Sequence, residues 1–307
     1  MDASAKFALI ILGPTAVGKS GLALFLARRF GGEIVNADSM QVYRGFDIGT
    51  DKPEASDRAD VPHHLLDMLD PEIQFTAADF ARLASAAVRD IDSRGRLPIV
   101  VGGTGLYLKA LTDGLFPGPG SDRLVRRRLE EEAHVRGVES LHRRLADVDP
   151  ESALRISPRD KIRILRALEV FSLTGIPLSL HFRKTEPPLK DFQLVRIGLQ
   201  LERRELVRRI ELRVDRMFER GIVQEAKALL QQGFKREAPP FRALGYRHVL
   251  VALEGSITAA EAAALTKRDT RRYAKRQMTW FRKMKDIVWF QADDRQAAAE
   301  YVKARLN

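Results

Sequence analysis

Short apolar runs alternate along the chain with longer segments that have helical spacing. Four runs have the length and composition of buried strands. They cover residues 7–12, 33–38, 97–101 and 194–201. Between them, apolar side chains recur every three or four residues and predict helices. These helices cover residues 22–30, 75–93, 203–220 and 267–285. Alternating strands and helices predict an α/β fold with a parallel sheet core flanked by helices.

A Pro/Gly cluster at residues 116–120 interrupts this alternation. The chain that follows has helical patterning, many arginines and no strand signal up to the next Pro pair, Pro187-Pro188. We therefore expect an all-helical insertion at residues 121–190. The α/β core would consist of residues 1–120 and 191–307, and its C-terminal part would also be helical. Acids are interspersed among the arginines, so much of the basic surface should be ion-paired and solvated.

The sequence GPTAVGKS at residues 13–20 lies between the first strand and the first helix. It matches the phosphate-binding pattern G-x-x-x-x-G-K-[ST] in the strand, loop and helix context that this pattern requires. Its glycines let backbone N–H groups converge on an anion at a helix N-terminus. Lys19 would neutralise phosphate oxygens and the Ser20 hydroxyl would ligate magnesium. A chance match in an ordinary turn is disfavoured because both flanking elements are present.

Polar residues follow the second and third predicted strands. Asp38 ends the second strand, and Gly102-Gly103-Thr104 follows the third. Ligands of open parallel sheets bind beyond the carboxyl ends of the strands, so these residues should lie beside the glycine loop. On position alone, a helix N-cap or a solvated turn is an equally good role for Asp38. His63 and His64 would point to opposite faces of a strand, and we expect structural or surface histidines there rather than a metal site.

The chain is strongly basic, with 52 Lys and Arg against 41 Asp and Glu, a net charge of +11 and a pI near 10.0. A polyanionic partner would account for this excess, although a basic protein without nucleic acid would have the same balance. The most basic stretch is the helix predicted at 267–285. Its stripe of Tyr273, Gln277, Trp280 and Met284 is expected to face the core. That requirement disfavours the alternative of a helix lying on a membrane surface.

Three absences limit the possible functions. There is no cysteine, which excludes disulfides, thiolate metal sites and cysteine nucleophiles. The N-terminal residues, with an acid at Asp2, do not form a signal peptide. No apolar run approaches the ~18 residues that span a bilayer. We therefore expect a cytoplasmic protein that does not bind a membrane.

Eight segments spread over nearly the whole chain resemble the tRNA dimethylallyltransferase family, the isopentenyltransferases that prenylate adenosine beside the anticodon. The segments are GPTAVGKS (13–20), NADSMQVY (36–43), DIGTDKP (47–53), PHHLLD (62–67), GGTGLY (102–107), RALEV (166–170), LGYR (244–247) and KRQMTWFR (275–282). The zinc-finger extension of eukaryotic members is missing, so the resemblance is to the bacterial type.

The resemblance implies a fold like that of P-loop NTPases and a glycine loop that holds dimethylallyl diphosphate rather than ATP. The residues implied in diphosphate binding are Gly13, Thr15, Ala16, Val17, Gly18, Lys19 and Ser20, with Ser20 also holding Mg²⁺. Asp38, Thr104 and Arg213 are implied in catalysis. Asp38 would act as general base towards the adenine amine, and Arg213 would help to neutralise the departing diphosphate.

The resemblance also implies that a flipped adenosine enters a channel and that the insertion grips the anticodon stem. Gln41 is suited to read the adenine edge. The residues expected to contact tRNA are Ser39, Met40, Gln41, Arg126, Ile162, Arg163, Arg166, Arg242, Gly245, Tyr246, Arg247, Lys275, Arg276, Gln277, Trp280 and Arg282. We expect the protein to act as a monomer.

Three other functions account for part of the sequence. A P-loop kinase of a nucleoside or small metabolite would use the glycine loop, magnesium and Asp38, but it would leave the basic insertion and the basic helix without a role. A non-catalytic or NTP-driven RNA-binding protein would leave Asp38 and Thr104 without one. An adenylate isopentenyltransferase acting on free nucleotide would need neither the full insertion nor the basic C-terminal helix.

Overall fold

The computed structural model describes residues 6–306. Its six strands are β1 Phe7–Leu12, β2 Gly32–Asn36, β3 His63–His64, β4 Leu97–Gly102, β5 Gln193–Gln200 and β6 Ile287–Gln291. They form one sheet in the order β3-β2-β4-β1-β5-β6, and each neighbouring pair is parallel. The predicted α/β class with a parallel core is therefore confirmed.

The contacts divide the described chain into two compact units. The first runs up to Thr112 and resumes at Pro188, and the second is Asp113–Pro187. The helices of the first unit are α1 Lys19–Phe30, α2 Ala55–Asp60, α3 Ala77–Ser93, α4 Gly105–Thr112, α10 Arg203–Glu219, α11 Ile222–Gln231, α12 Leu244–Leu253, α13 Ala259–Phe281 and α14 Arg295–Leu306, with a 3-10 turn at Pro239–Arg242. The second unit contains α5 Arg123–Arg136, α6 Val138–Val148, α7 Pro150–Arg155, α8 Lys161–Thr174 and α9 Leu178–Phe182. The insertion expected at 121–190 overlaps this second unit from 121 to 187.

Strand β1 is central and buries side chains on both faces. Leu9 and Ile11 pack in one core with α1 and α14, whereas Ile10 and Leu12 pack in a second core with α3 and α4. This alternation follows from the two-residue period of a strand, and it explains why a run without polar residues forms a strand covered on both sides.

The bounds of β2 and of the basic helix differ from the sequence predictions, and one strand lies outside the predicted set. β2 stops at Asn36, so Asp38 lies two residues past the strand. β6 was not predicted, because its short run of five residues follows directly on a basic stretch. The basic helix is α13, which begins at Ala259, where Thr258 and Glu261 form a capping box, and ends at Phe281 rather than at 285.

The second unit has its own apolar core, which includes Leu141, Leu145, Ile164 and Leu168. Next to that core lies Glu169, which is buried and accepts hydrogen bonds from the Ser121 hydroxyl, the Asp122 N–H and the Arg166 guanidinium. These bonds outweigh desolvation and hold the pKa of Glu169 below its usual range. No helix within residues 6–306 has the length and apolar character needed to cross a membrane.

A buried lysine organises the loop between β2 and β3. Lys52, whose side chain is 2% exposed, donates from Nζ to the Tyr43 carbonyl at 2.6 Å and to Asp47 Oδ1 at 2.7 Å, and also to Asp67. Arg58 Nη1 donates to the other oxygen of Asp67 at 2.7 Å. The ammonium group thus joins the first part of this loop to the segment that follows β3, through polar bonds rather than apolar packing.

We expect Lys52→Met to lower the free energy of unfolding by about 3 kcal/mol, because it removes the buried ammonium group, and the Tyr43 carbonyl and the Asp47 carboxylate lose the partner that Lys52 provides. Urea denaturation followed by circular dichroism measures this quantity. Lys227→Met, at an exposed lysine on α11, is the control and should change stability by less than ~0.5 kcal/mol. Equal stabilities of the two variants would contradict the assignment.

Candidate active site

The glycine loop, residues 13–20, follows β1 and leads into α1. Gly13 has φ 149°, and a Cβ there would lie 2.7 Å from the Leu199 carbonyl oxygen. Gly18 has φ 102° and precedes the first residue of α1, Lys19. Both glycines are needed, one for close approach to β5 and one for a left-handed conformation. Backbone N–H groups at the start of α1 are thereby left to face an anion.

Lys19 lies at the base of this loop, where its Nζ donates to the Pro14 carbonyl at 2.8 Å. Burial and the nearby Arg213 guanidinium lower the pKa of Lys19 to about 8, although Asp38 and Asp51 oppose the shift. An ammonium group with few partners inside the protein would gain from a bound anion. The same surroundings make its charge sensitive to pH near 8.

We expect the affinity for diphosphate to fall as the pH rises through about 8, since the Lys19 pKa is lowered to that value and the cation is lost above it. Calorimetric titration with magnesium diphosphate from pH 7 to pH 9 measures the effect. Lys19→Gln has no titrating group there, and its curve gives the contribution of the diphosphate itself. A wild-type curve parallel to that of Lys19→Gln would rule out this role.

Asp38 lies just beyond β2, where its neighbours fix its orientation. The Asn36 side chain accepts from the Asp38 N–H at 3.1 Å and donates to the Leu65 carbonyl at 3.1 Å. Asp38 Oδ1 accepts from the Met40 N–H at 2.8 Å. Burial raises the pKa of the Asp38 carboxyl, and the Met40 N–H and the Lys19 ammonium limit the rise. The result is a carboxylate with increased basicity, one oxygen of which is held by the backbone.

Thr104 follows β4 and reaches the loop that carries Asp38. Its Oγ1 accepts from the Ser39 N–H at 3.2 Å. The approach is close because Gly102 has no side chain: a Cβ there would lie 2.2 Å from the Ala37 carbonyl oxygen. Thr104 therefore joins the turn after β4 to the turn after β2, and its position depends on both.

Arg213 comes from α10, far along the chain. Its Nη1 donates to Asp51 Oδ2 at 3.3 Å, and its Nε is buried without a hydrogen-bond partner among the described residues. Arg209, one helical turn earlier, is instead bound to both Glu205 and Asp293 at 2.8 Å. Arg213 thus has fewer acidic partners than Arg209 among the described residues, and more of its donors remain to bind an anion.

One cavity of about 880 Å³ in the first unit is lined by these groups. Lys19, Ser20 and Arg213 lie on its wall together with Asp38. No cluster of three His, Cys, Asp or Glu side chains within residues 6–306 has the arrangement of a metal site. The predicted catalytic residues Asp38 and Arg213 thus share a cavity with the glycine loop, and Thr104 is bonded to its wall through Ser39.

The residues expected to contact tRNA fall into several groups. On the cavity wall lie Ser39, Met40, Gln41, Arg242, Gly245 and Arg276. Gln41 Nε2 donates to the Thr50 and Asp51 carbonyls at 3.0 and 3.1 Å. Exposed on the same unit are Arg247, Lys275, Trp280 and Arg282. In the second unit, Arg126, Ile162 and Arg163 line exposed helix faces, with the arginines paired to Glu130 and Asp160.

Three of the expected contacts have their side chains engaged inside the protein. Tyr246 is fully buried and donates its hydroxyl hydrogen to Glu225, and Gln277 is buried with both amide atoms bonded to backbone. Arg166 donates to Glu169 and to the Pro119 carbonyl. Burial and these bonds give Tyr246 and Gln277 a supporting role, which corrects the expectation that they offer a surface to RNA.

Two residues that matter to the site were not assigned to it from the sequence. Tyr273 lines the cavity, and burial raises its pKa to about 12, so its hydroxyl stays protonated. Glu225 accepts from the N–H groups of Ile48 at 3.0 Å and Asp47 at 3.2 Å, which fixes part of the cavity wall. The helical spacing of Tyr273 and Gln277 indicated that both lie on one side of the helix. Spacing alone does not show whether that side faces a cavity or the apolar core.

A buried carboxylate on α13 accepts hydrogen bonds from the basic residues around it. Asp269 accepts from Arg247 at 2.5 Å, Arg268 at 2.9 Å and His248 at 3.0 Å. These bonds, chiefly the one from Arg268, lower the pKa of Asp269 to about 2. The single acid of the basic stretch thus orients arginines on a surface of net positive charge.

The fold and the site define a parallel α/β protein of the P-loop class, with cationic groups and a buried carboxylate facing one cavity. Cationic groups beside a helix N-terminus suit an anionic ligand. Residues 41–284 match the model of the IPP transferase family, and the chain belongs to that family.

The chain is similar to known proteins over most of their length. The chain is 53% identical over 281 residues to a tRNA dimethylallyltransferase of Geobacter metallireducens. The aligned region covers 92% of this chain and 91% of the relative. A solved tRNA isopentenylpyrophosphate transferase from Bacillus halodurans is 40% identical with a TM-score of 0.73, covering 98% and 97% of the two chains. A eukaryotic dimethylallyltransferase that acts on tRNA is 32% identical with a TM-score of 0.82, covering 98% and 77%. The family recognised from the eight segments is confirmed.

Proposed function

We propose that the protein transfers a dimethylallyl group from dimethylallyl diphosphate to the exocyclic amine of the adenosine 3′ of the anticodon, in tRNAs that read codons beginning with U, and releases diphosphate. The observation that carries this proposal is the single cavity in which Lys19 and Arg213 face the buried carboxylate of Asp38. The cations suit a diphosphate leaving group, and the carboxylate suits an amine that must lose a proton.

The diphosphate would bind in the glycine loop. There the N–H groups at the start of α1 and the charges of Lys19 and Arg213 would stabilise the negative charge that develops as the C–O bond breaks. The exposed Ser20 hydroxyl is the protein ligand available for Mg²⁺, and the other ligands would be diphosphate oxygens and water. When bound, the ion would neutralise part of the leaving group's charge.

Asp38 would accept the proton of the amine. The amine nitrogen forms a bond to the allylic carbon, the bond from that carbon to the diphosphate oxygen breaks, and the amine proton passes to the free carboxylate oxygen. Because one oxygen of Asp38 is held by the Met40 N–H, the other is left to face the nucleophile. Thr104, bonded to the Ser39 N–H, would hold this turn in place during the reaction.

The anticodon loop would enter past Gln41, Arg242 and Arg276, which line the cavity. Arg126, Ile162 and Arg163 of the second unit would grip the anticodon stem, mostly through phosphate contacts. The relatives named above act on tRNA according to their names, which supports the same substrate here. The enzyme would work as a monomer in the cytoplasm.

The test is incubation of the purified protein with Mg²⁺, labelled dimethylallyl diphosphate and unmodified tRNA that reads codons beginning with U. Parallel reactions contain AMP in place of tRNA, or labelled ATP in place of the prenyl donor. Label that reaches adenosine in tRNA alone supports the proposal. Transfer to AMP would make the enzyme an adenylate isopentenyltransferase, and phosphate transfer from ATP without prenyl transfer would make it a kinase.

A further inference from the structure

Gln277 on α13 joins two turns of the cavity through a single buried side chain. Its Oε1 accepts from the Thr15 N–H at 2.8 Å, and its Nε2 donates to the Gly103 carbonyl at 2.8 Å. Thr15 and Gly103 lie 262 and 174 residues away along the chain. Gln277 is 5% exposed, so both bonds are protected from water. A buried amide with both ends paired is costly to replace.

The two turns carry different parts of the site. Thr15 belongs to the glycine loop after β1, and Gly103 precedes Thr104 in the turn after β4. A Cβ on Gly103 would lie 2.4 Å from Gln277 Nε2 and 3.7 Å from Lys19 Nζ, so the amide lies close to the cation of the site. Because the Thr15 N–H donates to Gln277, this N–H of the loop is already paired within the protein.

Other side chains of α13 support the same turns. Tyr273, one helical turn before Gln277, lines the cavity. Burial raises the pKa of Tyr273, and its hydrogen bonding with Gln277 and Thr104 opposes this rise. Trp280 packs on Gly105, where a Cβ would lie 2.4 Å from the indole. Lys275 and Arg282 of the KRQMTWFR segment are exposed on this helix and its C-cap. One side of α13 therefore supports the cavity while the other is basic.

We propose that Gln277 is a positioning residue for prenyl transfer, which sets the separation between the glycine loop and the Thr104 turn. This inference rests on the proposed function, in which the loop takes the diphosphate and the Thr104 turn holds the Asp38 turn that faces the acceptor. A change of about 1 Å in that separation would displace the leaving group from the amine, and such displacements cost ~100-fold in rate.

The test compares Gln277→Met, which fills the same space without either bond, with Gln277→Glu. A neutral Glu has one acceptor and one donor oxygen and replaces both bonds of the amide, whereas its carboxylate cannot donate to the Gly103 carbonyl. We expect Gln277→Met to lower kcat at least ~10-fold and to change the Kd for tRNA less than ~3-fold. For Gln277→Glu, the ratio of its kcat/KM to that of the wild type should rise as the pH falls from 8 to 6.

The ratio for Gln277→Met should stay flat over the same range, because it has no titrating group at this position. Thr279→Val is the control on α13, since Thr279 is exposed and its hydroxyl bonds only to the Lys275 carbonyl of its own helix, and its kcat should match the wild type. Melting temperatures of all variants accompany the kinetics. If Gln277→Met does not fold, the pH dependence of Gln277→Glu decides.

Two results would overturn the inference. A weaker Kd for tRNA with unchanged kcat in Gln277→Met would make Gln277 a tRNA contact. A ratio for Gln277→Glu that does not change with pH would mean that the paired bonds do not position the site. Prenyl transfer by the wild type is measured in the same series, so failure of the proposed function appears there, separately from any effect of Gln277.

Discussion

Asp38→Asn should lower kcat by about 100- to 10,000-fold, the usual contribution of a positioned general base. The amide has nearly the same shape and still accepts the hydrogen bond from the Met40 N–H, but it does not take up a proton from an amine. The measurement is single-turnover transfer of labelled dimethylallyl to unmodified tRNA, with filter binding to determine the Kd for tRNA. We expect that Kd to stay within ~3-fold of the wild type.

The pH profile provides an independent check on the same residue. Because the pKa of Asp38 is raised, its carboxyl is protonated as the pH falls through that value and activity is lost on the acid side. In the wild type, kcat/KM should therefore fall on the acid side with an apparent pKa above the ordinary carboxyl range. In Asp38→Asn this fall should be absent. Asp51→Asn, a second acid close to Lys19, is the control and should retain the fall. Near-normal turnover of Asp38→Asn would exclude Asp38 as the base.

Arg213→Gln should lower kcat/KM for dimethylallyl diphosphate by ~100- to 1,000-fold, which is typical for removal of one preorganised donor to a developing negative charge. Its Nε is buried without a partner in the described structure, so the guanidinium has donors available to the diphosphate. Steady-state kinetics with varied diphosphate at saturating tRNA measure the loss. The KM for tRNA should change little.

The matched control is Arg203→Gln, at an exposed arginine in the first turn of the same helix and outside the cavity. It removes one positive charge from α10 without touching the site. A loss in Arg203→Gln as large as that in Arg213→Gln would mean that the net charge of the helix, rather than a placed donor, assists the reaction.

Those parts of the site that depend on local sequence could be predicted from it. The glycine loop is eight consecutive residues with flanking elements, and Asp38 and Thr104 each follow a buried strand. In a parallel sheet those strand ends lie at one edge, and ligands bind beyond that edge. The sequence alone therefore predicted that the three turns lie close together. Arg213 depended on the family resemblance, since α10 carries many arginines and charge alone does not distinguish them.

Contacts between distant segments could not be predicted in this way. Whether Gln277 faces RNA or the backbone of Thr15 depends on which side of α13 packs on the sheet, and its sequence neighbours are both basic and aromatic. The same holds for Tyr246, which looked like a surface aromatic beside Arg247 but is buried against Phe46 with ring centroids 5.1 Å apart. Strand β3, only two residues long, has too little sequence for any period to appear.

The order of the strands fixes how far apart two parts of the site begin. β4 lies between β1 and β2, so the end of β1, which leads into the glycine loop, and the end of β2, which leads into the Asp38 turn, are two strand spacings apart, about 10 Å. That interval is fixed by backbone hydrogen bonds such as the register Ile10 to Val100 and Val100 to Val35. Lengthening either loop would not alter it. Proteins of this fold are therefore expected to differ in the residues that contact the outer parts of their substrates. The spacing between the ends of β1 and β2 should stay the same.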